Sequence, residues 1–69
     1  MTKEEIENRF TYHAPKPGQP EIYQDIRTLA KELALDINEF VPEGREKSLA
    51  FTKLEEAVMW SNAGIARHG

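Results

Sequence analysis

Between Glu21 and Phe40 the apolar residues Ile22, Ile26, Leu29, Leu33, Ile37 and Phe40 recur three or four positions apart, with Ala30 and Ala34 beside them. That spacing returns side chains to one face of an α-helix and does not suit a strand, in which apolar residues alternate. The pattern stops at "VPEG", where Pro42 and Gly44 make a turn. Beyond it, Leu49, Leu54, Ala57, Val58 and Ile65 predict a second long helix from about Arg45 to Arg67. Two long helices joined by so short a turn pack antiparallel, as an αα-hairpin.

Ahead of the hairpin, Thr2 and Glu5 stand at the capping-box spacing and predict a short helix ending near Arg9 or Phe10. "YHAPKPGQP" follows. Pro15, Pro17 and Pro20 restrict φ and remove backbone donors, so this linker is ordered, and Pro20 suits the first turn of the next helix. The expected fold is all-α: a short N-terminal helix packed on or near the hairpin, forming a single domain over residues 1–69, without repeats or low-complexity segments.

A chain of 69 residues buries only about 60% of its unfolded surface. It has no cysteine for a disulfide, and its two histidines are too few for a closed structural zinc site. No metal or cofactor is expected. Without such staples, a small domain gains stability from well-packed helices or from oligomerising. The end of the second long helix points to the latter. From Ala57 to Ala66 there is no charge, and Ala50, Ala57, Ser61 and Gly64 set small side chains along one side. Trp60 and Ala63 lie on a different side and Met59 on another. One partner helix does not cover so many apolar faces, and contiguous apolar surface of this kind marks an interface.

Charge narrows the partners. The net charge is -3 and the pI about 5.3, whereas a DNA or RNA polymer is held by a basic face that displaces counterions. A helix-turn-helix reading fails likewise, for want of a basic recognition helix. No apolar run is long enough to span a membrane, the acidic N-terminal stretch is not a signal peptide, and the cytoplasm is the expected location. Enzyme constellations are thin. There is no cysteine nucleophile, Gly-rich phosphate loop or HExxH pair; Ser48 and Ser61 lack a nearby histidine, and Glu55 with Glu56 reads as a solvated helix side. His13, beside the proline-rich loop, reads as a surface or packing residue before a general base.

Three residues offer binding chemistry, each with a plainer alternative. Tyr12 can stack on a nucleobase or pack across the hairpin. Arg27, with Thr28 adjacent, offers phosphate a fork of donors, or pairs with Asp25, Glu21 or Glu32. Arg67 closes the last helix, where a cation favours the helix dipole, and it also sits at the edge of the uncharged surface, within reach of a ligand there.

"FTYHAP" (10–15), "YQDIR" (23–27) and "REKSLAFTKLEEAVMWSNAGIAR" (45–67) resemble the phage anti-CBASS family of cyclic-oligonucleotide sponges, in order and over most of the chain. The resemblance implies a homohexamer built as a pair of interlocked trimers. It implies sequestration, without cleavage, of cyclic di- and trinucleotide messengers such as 3′,3′-cGAMP and cyclic tri-adenylate, in the cytoplasm of an infected bacterial host. By the same resemblance Tyr12, Arg27 and Thr28 contact the dinucleotide. Arg67 contacts trinucleotide phosphates, with His13 and Asn62 as further trinucleotide candidates. Ser61 within "MWSNA" and the ending "HG" depart from commoner family residues. The competing reading is a helical oligomerisation or protein-interaction module that binds no nucleotide.

Overall fold

The computed structural model describes residues 1–69 as three α-helices and no strand: α1 Lys3–Phe10, α2 Gln19–Phe40 and α3 Arg45–His68. Local chemistry sets each boundary. The Thr2 hydroxyl accepts from the Glu5 amide at 3.1 Å, closing the first turn of α1. The α2 helix starts at Gln19, with Pro20 in its first turn as expected, because Gly18 at φ 86° turns the backbone through the left-handed region just before it. α3 runs one residue past Arg67, to His68.

The hairpin seam is legible in the burial pattern. On α2, Tyr23, Ile26, Ala30, Ala34 and Ile37 are partly covered; on α3, Phe51, Leu54, Val58, Asn62 and Ile65 are. These form helical stripes laid against each other, broadening at the end of α3, where residues 62–67 are all partly covered, and α2 with α3 is the only helix pair in broad contact. α1 stands near the hairpin's open end rather than on it.

Both ends of the hairpin are closed by polar clasps, and these contain the only two buried residues, Gln19 and Lys47. At the turn, the Lys47 ammonium donates to the Asn38 carbonyl at 2.9 Å and to Glu43 Oε1 at 2.7 Å. The last turn of α2 has no basic residue of its own. Lys47, reaching across from α3, thus satisfies a carbonyl that the helix leaves unpaired and complements its negative end. At the open end, Gln19 Oε1 accepts from the Lys16 amide at 2.9 Å while its Nε2 donates to the Ile65 carbonyl at 3.4 Å. Lys16 Nζ donates to the Gly69 carbonyl at 2.6 Å. The linker is therefore tied to the last turn of α3.

No hydrophobic residue is fully buried. The molecule measures 45 × 29 × 12 Å, and its radius of gyration is 15.3 Å where a compact chain of this length has about 11 Å. Its accessible surface is 5674 Å² for 7.9 kDa, against about 4,400 Å² for a typical monomer of that mass. The excess of about 1,300 Å² exceeds the roughly 800 Å² that each partner covers in a standard interface. The chain is a layer one helix thick with apolar groups on both broad faces.

Candidate ligand-binding and assembly surfaces

On one broad face, Ile26, Leu29 and Leu33 of α2 and Ala57, Val58 and Ser61 of α3 line a shallow groove of about 230 Å³. Leu29 is 66% exposed and Leu33 50%. Helical spacing carries this stripe on through Ile22 and Phe40, and the α3 side through Ala50 and Gly64. The small residues expected from sequence to admit another backbone thus lie beside two well-exposed leucines. A Cβ built on Gly64 meets nothing within 4 Å, so its own chain makes no use of the room.

On the opposite face, Phe51, Val58 and Met59 with Ala30 and Ala34 line a groove of about 460 Å³, rimmed by Arg27, Lys31 and Glu55. Arg27 forms none of the ion pairs that its neighbours offered. Its guanidinium donates instead to Gln24 Oε1 at 3.1 Å, and Gln24 Nε2 donates to the Thr28 hydroxyl at 3.2 Å. Gln24 thereby holds Arg27 and Thr28 side by side on an exposed edge, with donors to spare. Tyr12 is 84% exposed and does not pack across the hairpin. Within one chain, no hydrogen bond joins it to the Arg27–Thr28 pair.

The third concavity, about 480 Å³, opens between α1 and the end of α3. Arg67 lines it, together with Arg9 and Phe10 from α1 and Trp60 and His68 from α3. His13 borders this region indirectly. Its Nε2 lies 2.8 Å from the Asn8 carbonyl oxygen, an atom that can only accept, so the proton sits on Nε2 and ties the linker to the C-terminal turn of α1. Asn62 is not among the lining groups; its Oδ1 is buried without a hydrogen-bond partner on the seam side of α3. Of the three trinucleotide candidates, the fold of one chain places only Arg67 in the concavity.

Sequence reading passed over Arg9, Phe10 and His68 as site residues, and placed Trp60 on an apolar face without a role. The available signal was local: an arginine and an aromatic ending α1, and an arginine–histidine pair ending α3. What joins them is the linker's fold, which has no sequence period.

The structure defines a class: a small all-helical hairpin with apolar broad faces and with cationic and aromatic groups left free at its edges. The particular family follows from comparison with known proteins. The sequence model of the Acb2/Tad1 hairpin domain matches residues 2–66, and the chain belongs to this family, that of the anti-CBASS sponges. No curated protein and no solved structure matches it. No helix is long and apolar enough to cross a membrane.

Proposed function

We propose that this chain is a phage anti-defence protein that binds cyclic di- and trinucleotide messengers and holds them without cleavage, keeping them from the CBASS effector in the cytoplasm of the infected host. The observation that carries the reading is the family match over residues 2–66, and the free chemistry at the edges of the hairpin supports it. Tyr12 offers an exposed ring for stacking a base. Arg27 and Thr28, held together through Gln24, offer donors to phosphate.

Assembly supplies what one chain lacks. The single domain of residues 1–69 forms a homohexamer, a pair of interlocked trimers, that covers the apolar faces. A closed assembly with two-fold and three-fold axes presents each residue twice around one ligand and three times around another. A ring with two phosphates matches the first arrangement and brings Tyr12 of one protomer to Arg27 and Thr28 of another. A ring with three phosphates matches the second, with one Arg67 per phosphate and His13 contributed around the axis. Net negative charge is no obstacle to such a site, because triplication concentrates guanidinium locally.

Non-enzymatic capture is the part of this reading most directly open to test. The protein is mixed with excess over 3′,3′-cGAMP or cyclic tri-adenylate, binding is measured by calorimetry, and the complex is then heated and the nucleotide analysed. Heat of binding followed by recovery of intact cyclic ligand is expected. Linear nucleotide overturns the sponge reading in favour of hydrolysis, and a defined multimer with no heat for any cyclic nucleotide favours the interaction module.

A further inference from the structure

We propose that Arg9 and Trp60 contact ligand in the concavity between α1 and α3, Arg9 as a second phosphate-binding cation beside Arg67 and Trp60 as the surface on which a nucleobase stacks. The inference rests on the proposed function, and it assigns to the Arg67 concavity two residues that the sequence left without a role.

Charge comes first. Arg9 and Arg67 approach the same space from different helices, and neither takes part in any of the three ion pairs. Glu5 is the one carboxylate lining the concavity and stands one turn before Arg9 on α1, at a spacing that favours pairing. The structure forms no Glu5–Arg9 bridge, so both guanidinium forks remain available. Two arginines against one glutamate make the concavity net positive in a chain whose net charge is -3. Guanidinium groups left unpaired in a recess suit a bidentate oxyanion, phosphate above all.

Shape and aromaticity set the ligand class. Trp60 is 68% exposed although it lies within a helix, and it shares the recess with Phe10. A free inorganic anion gives these rings nothing to do. A ligand with both phosphate and a flat apolar ring uses the whole lining, and about 480 Å³ lies within the range of small-molecule sites. The class is therefore a nucleoside phosphate; in the assembly, it is one phosphate–base segment of a cyclic trinucleotide, each protomer holding one segment.

Trp60 is the only tryptophan in the chain, so its fluorescence reports this recess and no other. The intact protein is titrated with cyclic tri-adenylate and, separately, with 3′,3′-cGAMP, following tryptophan emission and heat, for wild type, Arg9→Ala and Trp60→Leu, with helical circular dichroism and oligomeric mass as controls. Quenched or shifted emission with the trinucleotide is expected. Each variant is expected to lose about tenfold or more in trinucleotide affinity while binding the dinucleotide as before. Trinucleotide binding with unchanged emission and wild-type affinity in Arg9→Ala overturns this assignment and leaves the sponge reading standing. Absence of heat with either nucleotide removes both.

Discussion

The apolar face that carries Leu29 and Leu33 makes the assembly directly testable. Full burial of a leucine side chain contributes about 1.5–3 kcal/mol. With 66% of Leu29 and 50% of Leu33 uncovered in the lone chain, the share left for a second protomer is about 1–2 kcal/mol for the first and about 1–1.5 kcal/mol for the second. The double variant Leu29→Ala/Leu33→Ala therefore removes about 2–3 kcal/mol per protomer. A two-fold contact feels this twice, so the dissociation constant rises by about three to four powers of ten. Leu35 supplies the control: it is also well exposed, but it stands on the outer ridge of α2 among Thr28, Lys31, Glu32 and Glu39. Sedimentation equilibrium or native mass measurement over a dilution series reads the result, with circular dichroism to show that the helices persist. The double variant should dissociate at concentrations where wild type and Leu35→Ala remain assembled. Wild-type mass for the double variant throughout, or equal dissociation of Leu35→Ala, refutes the assignment of this face.

Gly64→Ala separates protomer from assembly by sign: helix propensity stabilises the isolated chain by about 1 kcal/mol, nothing in that chain obstructs the methyl, and the mass distribution should nonetheless shift toward smaller species. Lys47→Met keeps the packed stem but leaves the Asn38 carbonyl without its donor. Urea unfolding at fixed protein concentration should show a loss of about 1.5–3 kcal/mol, whereas Glu43→Gln, altering a side chain that is 90% exposed, should change stability by less than about 0.5 kcal/mol. Tyr12→Ala should weaken 3′,3′-cGAMP binding by about 5- to 150-fold, the equivalent of one lost stack, with oligomeric mass unchanged; calorimetry and native mass measure both.

Much of the fold was legible because its determinants are periodic or local. The stripe from Ile22 to Phe40, the break at Pro42 and Gly44, and the Thr2 cap each act within a turn or two of helix. The clasps were not legible. Gln19 sits in a Pro- and Gly-rich linker and Lys47 in the first turn of a charged helix, and both residue types are ordinarily solvated. Only the antiparallel return of the chain brings Gln19 to the Ile65 carbonyl and Lys47 to the Asn38 carbonyl. The site divides in the same way. Tyr12, Arg27 and Arg67 could be singled out as groups with the right chemistry, and the exposure of Tyr12 excludes its packing across the hairpin within one chain. The recess around Arg67 could not be foreseen, since it depends on where a helix of eight residues comes to rest.

That placement is governed by the linker, which gives the proline-rich segment a mechanical role. α1 has little contact with the hairpin, so its position follows from the chain joining them. Three prolines limit the linker's own freedom, and both of its ends are tied: His13 to the Asn8 carbonyl behind it, Lys16 and Gln19 to the Gly69 and Ile65 carbonyls ahead. Tyr12 precedes the first tie directly, and Arg67 lies between the two carbonyls that receive the second. The aromatic group proposed for one ligand and the cation proposed for the other are therefore held by one set of hydrogen bonds to helix ends. Such a frame lowers the ordering entropy that ligand capture must overcome. Under the proposed function, capture works by mass action rather than turnover, so preorganisation acts directly on the affinity that decides whether a messenger stays sequestered.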